Sequence, residues 1–421
     1  MALQLNYESW KRERFLYSGA YFDTASAPVD GIHSMRTSES QLTLDFLASG
    51  FSDPEPKARS FLVVLSGAVA KQTRAVASAP FFSGLGTAGG VRLPLLSVSD
   101  PTLALDPELT LAWYAGNSLT TNLLAIIARN IDRVATATGL YPILIGGSGG
   151  GYAAINISAR LESEATTIVW NPQTSIGGYD ASAARRYIEV AYPEIEFPSE
   201  NPSTQREFQE FLDNAIDPTR HRLPPVVSID TRHKIIFLQD RTDTFHMSRH
   251  AGPWLNTAEF EALGPNTYQN SAGNILFFVG NWGKGHAPAP GHLISELILS
   301  ANSGTALSQI GIQRLAKSRY SPNDTFTWLA VRPPMNNDIA ITHKKNGDTV
   351  QLSFEISPSL GKTIDFEYAC YLYERNKIVA RSGYRKTPDF SFSGILGNTP
   401  LTARLYLRDQ LGSIKAVSKK L

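Results

Sequence analysis

The pattern of apolar and polar positions divides the chain into three stretches. Between about residues 61 and 300, short runs are mostly apolar rather than alternating: Phe61 to Leu65, Leu93 to Val98, Pro142 to Ile145, Thr167 to Trp170, Lys234 to Leu238 and Ile275 to Val279. Each has the length of a strand, and most are bounded by Gly, Pro, Asp or Asn. A strand that is apolar on both sides is buried on both sides, which is the habit of a parallel sheet covered by helices. Helical spacing lies between the runs. Leu123, Ile126, Ile127, Ile131 and Val134 predict a helix over 119–137, with Ser118 as its N-cap and Gly139 as its stop. Residues 151–161 and 293–300 predict two more. Residues 16–22 and 41–46 read as lead-in strands.

Between Gln173 and Ile229 the pattern breaks. Pro193, Pro198, Pro202, Pro224 and Pro225 punctuate a polar segment with one helix candidate, 204–215. We read it as an insertion over the sheet, a lid or substrate wall spanning about 173–229. Beyond about residue 330 the period shortens to two, as in Val350, Leu352, Phe354 and Ile356. Strands are expected over 349–356, 363–373, 378–384, 389–392 and 401–407, with a turn at Asn346, Gly347 and Asp348. These features predict a small immunoglobulin-like β-sandwich over 335–421, following an α/β domain over 1–330, with the boundary near Arg332, Pro333 and Pro334.

Composition adds mainly exclusions. The 421 residues are 42% hydrophobic and 18% charged, an ordinary globular balance. With 39 basic against 38 acidic residues, no nucleic acid or acidic surface is called for as a partner. Lys344–Lys345 and Lys419–Lys420 read as solvated surface. The single cysteine, Cys370, cannot form an intrachain disulfide and reads as a buried, inert thiol. No basic-then-apolar leader opens the chain, and no apolar run reaches the roughly 20 residues that span a bilayer. A cytoplasmic location without a membrane span is the expectation.

The chemistry concentrates at residues 141–154. Gly146, Ser148 and Gly150 satisfy G-x-S-x-G, preceded by a buried strand and followed by a small-residue helix. That strand–turn–helix setting is what a nucleophile elbow requires. A phosphate loop fits less well: no lysine follows as in G-x-x-x-x-G-K-[ST], and the G-x-G-x-x-G register is broken by Tyr152. A serine needs a base, and the base an orienting acid, which in this fold follow in the order Ser, Asp or Glu, His. After the run ending at Leu238 come Asp240 and Asp243. Asp243 lies farther out on the loop and is the preferred acid, with Asp240 the alternative. After the run ending at Val279, His286 stands on a glycine-rich loop and is the preferred base, with His292 the fallback. One oxyanion donor is expected from Gly149. The other is expected from Gly67 or Ala68, on the loop after an earlier strand.

Several further residues keep two readings. His246 either contributes to substrate binding or is an ordinary surface histidine. His246 and His250 share a helical face, but a metal site would need ligands that the pattern does not supply, so neither a metal nor an organic cofactor is expected. Residues 81–86, including Phe82, either line the pocket or pack in the core. Tyr371, Tyr373 and Tyr384 either pack in the sandwich or stack on sugar rings.

Residues 61–300 resemble an α/β-hydrolase domain, through the elbow around Ser148, the acid loop 239–246 and the His286 loop. Three stretches, Trp170 to Thr174 (including Gln173), Leu238 to His250 and Trp282 to Pro288, are similar to hydrolase-like glycan O-acetyltransferases of bacterial accessory secretion systems. The resemblance implies a Ser-His-Asp triad, a covalent acyl-enzyme, and a small-molecule or glycan acyl ester as substrate, with Gln173 as a candidate substrate contact. The rival is a hydrolase-like scaffold or glycan-binding protein without catalysis, in surface-polysaccharide assembly or secretion.

Overall fold

A computed structural model describes residues 4–5, 13–36, 42–52, 54–55, 57–197, 205–323, 339–356, 366–375, 377–395, 400–408 and 414–421. The six apolar runs become six adjacent parallel strands: β4 (Ser60–Leu65), β5 (Leu95–Val98), β6 (Tyr141–Gly147), β7 (Ala165–Trp170), β8 (His233–Asp240) and β11 (Ile275–Gly280). Earlier strands β1 (Arg14–Tyr17), β2 (Gly31–Arg36) and β3 (Thr43–Ser49) extend one edge. The antiparallel strands β9 (Phe260–Gly264) and β10 (Thr267–Asn270) extend the other. The eleven strands run in the order β9-β10-β11-β8-β7-β6-β4-β5-β3-β2-β1.

Alternate residues of each central strand face opposite cores. Val63, Leu144, Val169, Phe237 and Phe277 meet one cluster, and Leu62, Ile143, Ile168, Ile236 and Leu276 meet the other. The first face is covered by α1 (Leu123–Thr138), α2 (Gly149–Ser158), α3 (Ala181–Ala191) and α4 (Gln205–Ala215). The second is covered by α5 (Gly291–Asn302) and the short helix Leu85–Val91. A mixed sheet covered on both faces, with a serine turn between β6 and α2, is the α/β-hydrolase fold.

The structure corrects several local expectations. Asn122, not Ser118, precedes α1: Asn117 and Thr120 exchange backbone hydrogen bonds in a tight turn, and the helix starts beyond it at Leu123. Gly139 ends α1 at φ 67°, as the pattern predicts. The 173–229 insertion holds two substantial helices rather than one. In α3 the buried Ala184, Tyr187, Ile188 and Ala191 follow helical spacing, and Asp180 caps it by accepting from the Ala183 N–H. Strand β2 also escapes the pattern, since it buries His33 and Ser34 among its apolar residues.

The C-terminal strands form two antiparallel sheets over one core, a small β-sandwich. One sheet joins β12 (Ile339–Asn346), β13 (Thr349–Ile356) and β16 (Asp389–Phe392). The other joins β14 (Glu367–Glu374), β15 (Lys377–Arg381), β17 (Leu401–Arg408) and β18 (Ile414–Lys420). Cys370 is wholly buried in β14, and burial pushes its thiol up to about 12. Tyr371, Tyr373 and Tyr384 are half-buried at the surface, where Tyr371 packs on Tyr406. The expected boundary at 330–335 lies outside the described residues. No helix among the described residues is long and apolar enough to cross a membrane.

Five of the eight histidines, His33, His221, His233, His246 and His250, are buried, and burial holds each below its ordinary value. The unfolded chain therefore binds more protons than the folded one once pH falls through the ordinary histidine range, about 6.5. Stability contributed by these neutral rings is complete above that range and declines below it. Calorimetric melting at about pH 7.5 and pH 5.5 should show a Tm several degrees lower in acid, at roughly 2–4 °C per kcal/mol. An unchanged Tm would mean that the rings take up protons without cost where they lie.

Candidate active site

The three preferred catalytic candidates and the substrate-contact candidate Gln173 each leave the carboxyl end of a central parallel strand. Ser148 follows β6, Gln173 follows β7, Asp243 follows β8 and His286 follows β11, and these four strands are consecutive neighbours in the sheet. Open α/β sheets bind ligands along that edge.

The turn between β6 and α2 is strained by design. Ser148 adopts φ 54° and ψ −123°, a conformation that L side chains avoid unless their surroundings impose it. Three backbone contacts impose it. The Ser148 N–H donates to Trp170 O at 3.1 Å, and its carbonyl accepts from Tyr152 N at 3.1 Å and Gln173 N at 3.2 Å. The flanking glycines allow the approach. A Cβ on Gly146 would stand 2.4 Å from Gly150 O, and one on Gly150 would stand 2.2 Å from Leu65 O. The loop after β4 therefore lies against the elbow, with Gly67 close to the Ser148 Cβ. Gly67 and the buried Gly149 both lie beside the serine, and Ala68, the next residue of that loop, is exposed.

Asp243 is buried and touches two histidines. Its Oδ2 lies 2.6 Å from His286 Nδ1, and its Oδ1 lies 3.0 Å from His246 Nδ1 and accepts the His246 backbone N–H at 3.2 Å. Burial pushes this carboxyl up, but the hydrogen bonds from both rings outweigh it and hold it well below the usual carboxylate range. An ionised carboxylate accepts only, so both Nδ1 atoms carry protons and His286 keeps Nε2 free to act as a base. The two rings stack at 3.9 Å and 14°. Asp243 and the ring of His246 are almost wholly buried, while the His286 side chain is 40% exposed. The His286 ring thus faces solvent and the Asp243 carboxylate does not. Beside them opens a cavity of about 390 Å³ lined by Tyr179, Asp180, Phe245 and His286, among others.

Asp240 has a different task. Its Oδ1 accepts from the N–H and hydroxyl of Thr242, and its Oδ2 accepts the Trp282 and Gly283 N–H groups at 2.9 Å. It ties the acid loop to the histidine loop. His292 lies at the start of α5, against Arg319 and the Tyr320 hydroxyl. Phe82 is wholly buried against Ile32 and Leu47, so the core reading of residues 81–86 holds for it and the substrate reading does not. His246 is no surface residue: it is buried and shares the acid with His286. Nothing in the helical spacing of His246 and His250 shows that partnership.

Asp243, His246 and His286 also bring three metal-type donor atoms within 4.8 Å of one another. Oxygen and nitrogen ligands at ~2.0–2.2 Å about a tetrahedral zinc lie roughly 3.3–3.6 Å from one another, so the carboxylate–imidazole separations of 2.6–3.0 Å here are those of hydrogen bonds.

Gln173 is completely buried, and its Nε2 donates to Ser148 Oγ at 3.1 Å, while its Oε1 accepts from the Trp113 indole. The segment carrying it also reaches the histidine loop, since Asn171 Nδ2 donates to Ala287 O at 2.8 Å. Trp113 carried no signal in the sequence. It lies 60 positions from Gln173, and only the tertiary fold joins them.

No protein-family model matches the chain, and no curated protein sequence does. Similar solved structures exist at low identity. A chain of the Glycosylation Associate Protein (Gap123) complex from Streptococcus agalactiae shares 13% identity over 67% of this chain and 46% of its own, with a TM-score of 0.36. The match thus spans less than half of that protein. The capsule O-acetyltransferase of Neisseria meningitidis serogroup A shares 13% identity over 62% of this chain and 94% of its own, with a TM-score of 0.40. Carboxyl esterase 2 of the fungus Tuber melanosporum shares 11% over 73% and 91%, with a TM-score of 0.37.

Proposed function

We propose that this α/β-hydrolase-fold chain is a serine-dependent acyl-ester hydrolase or acyltransferase working through Ser148, His286 and Asp243. The observation that carries the reading is the site itself. A serine is held in a strained strand-to-helix turn, and a buried, ionised aspartate two strands away fixes the tautomer of a solvent-facing histidine.

Ser148 Oγ attacks the acyl carbonyl while His286 Nε2 takes its proton. The tetrahedral oxyanion is met by the N–H groups of Gly149 and of Gly67 or Ala68. The histidine then protonates the leaving oxygen, and an acyl-serine remains. Asp243 stabilises the imidazolium throughout. The incoming hydroxyl gives its proton to the same histidine. Water as acceptor gives hydrolysis, and a sugar hydroxyl gives acyl transfer. Glycan esters and hydroxyls are the substrates to try first, since the meningococcal neighbour is a capsule O-acetyltransferase.

Mass spectrometry after treatment with a fluorophosphonate tests this. A single adduct on Ser148, lost in Ser148→Ala, is the expected result. A folded wild-type protein that stays unmodified would overturn the reading and turn attention to a non-catalytic, glycan-binding role.

A further inference from the structure

We infer that Gln173 is a fourth catalytic residue, a donor aimed at the nucleophile's own oxygen rather than at the substrate carbonyl. The inference rests on Ser148 being the nucleophile, as proposed above.

A glutamine amide can face either way, but here the chemistry of its neighbour decides. The Trp113 indole is only a donor, so the amide atom it meets must be Oε1, and Nε2 must face Ser148 Oγ. Both ends of this relay are held. Trp113 is wholly buried between edge contacts to Tyr179 and Tyr187, and the next residue, Tyr114, gives its N–H to the buried Asp100 at 2.6 Å. Gln173 is pinned by its own N–H on Ser148 O. Thr174 after it bonds His250 through both its N–H and its hydroxyl, at 3.2 Å and 3.0 Å.

The consequence concerns charge on Oγ. With one lone pair occupied by Gln173, the serine O–H is left to point toward the base. As the proton passes to His286 Nε2 and the Oγ–carbon bond forms, the carbonyl π electrons move onto the substrate oxygen. Negative charge gathering on Oγ before that bond is complete is met by the amide. In deacylation the Oγ–carbon bond breaks, and Oγ leaves as the same developing anion until His286 returns its proton. An oxyanion-hole donor serves the carbonyl oxygen; Gln173 serves the attacking and leaving oxygen, in both half-reactions. Trp113, acting through it, is a positioning residue.

The test is the second-order rate of fluorophosphonate labelling at Ser148 as a function of pH. Gln173→Leu should slow it about 10–100-fold, the value of a lost hydrogen bond to a charged group. Gln173→Glu fills the same space and still accepts from Trp113, but its carboxylate cannot donate and repels charge on Oγ. It should be slow at high pH, and its ratio to wild type should recover as the pH falls and the protonated carboxyl donates again. Trp113→Phe should lose less, and nothing further in a Gln173→Leu background. A space-filling role predicts a Glu variant that tracks wild type at every pH, and that result overturns the inference even if Gln173→Leu fails to fold. An unmodified Ser148 in the wild type overturns the nucleophile reading beneath it, so the two failures are distinct.

Discussion

Asp243→Asn should lower both fluorophosphonate labelling and ester turnover by about 10⁴-fold while leaving the fold nearly as stable, a contrast readable from labelling rates and thermal melts on one preparation. The magnitude is that of the equivalent change in a serine protease triad, where a wrong histidine tautomer is the cause. Here the arithmetic of donors is harsher. Asp243 receives two imidazole N–H groups and a backbone N–H on two oxygens. Asparagine has one side-chain oxygen, and its NH₂ must face one of the rings. If it faces His286, that ring must turn Nδ1 into an acceptor and move its proton to Nε2, where the serine needs a base. The charge that would offset the imidazolium is lost as well. Asparagine nevertheless caps a helix turn about as well as aspartate, so the short helix Thr244–His246 keeps its start. A fall in labelling that merely tracked a fall in Tm would mean that the carboxylate is structural. Because hydrogen bonds hold this carboxyl well below the usual range, an acid limb in the activity profile cannot come from its protonation.

The legible parts of this molecule are those whose physics is local. A strand buried on both faces is mostly apolar rather than alternating, and the six such runs are the six central parallel strands, within a residue or two at each end. The elbow is legible because a serine turn between strand and helix admits only glycine around it, and the order of serine, acid and base is the order in which the sheet is wound. What escaped depends on contacts between distant segments. Strand β2 buries His33 and Ser34, which looks wrong until Tyr17 and Val29 satisfy the one and Asp45 the other. The role of His246 follows from Asp243 capping the very turn on which His246 sits, which folds the ring back onto its own cap. The Trp113–Gln173–Ser148 relay joins three loops. Helix α3 is the exception: Ala184, Tyr187, Ile188 and Ala191 keep helical spacing behind an Asp180 cap, so it is as legible as α1.

Gly150→Ala should remove labelling at Ser148 by at least about 10²-fold and lower the melting temperature. It adds only a methyl group, 148–150 being a turn with no freedom left. That methyl would sit 2.2 Å from Leu65 O, 2.8 Å from Ser66 C and 3.0 Å from Gly67 N. All three atoms are backbone, so no side chain can swing aside. Either the first turn of α2 retreats from the end of β4 or the loop after β4 retreats from the elbow. Overpacking of this kind costs about 1–3 kcal/mol in stability. The catalytic loss is the larger effect, because in the proposed mechanism Gly149 and Gly67 or Ala68 present their N–H groups to one oxygen, and a shift of about 1 Å between them is worth roughly 10²-fold in rate. Gly89→Ala gives the comparison. Gly89 lies in the helix Leu85–Val91 with no atom within 4 Å of an added Cβ, so alanine should hold or raise the Tm, with labelling unchanged. If Gly150→Ala labelled at the wild-type rate, the loop after β4 could not be half of the oxyanion hole, and the second donor would have to be sought elsewhere along the carboxyl edge of the sheet.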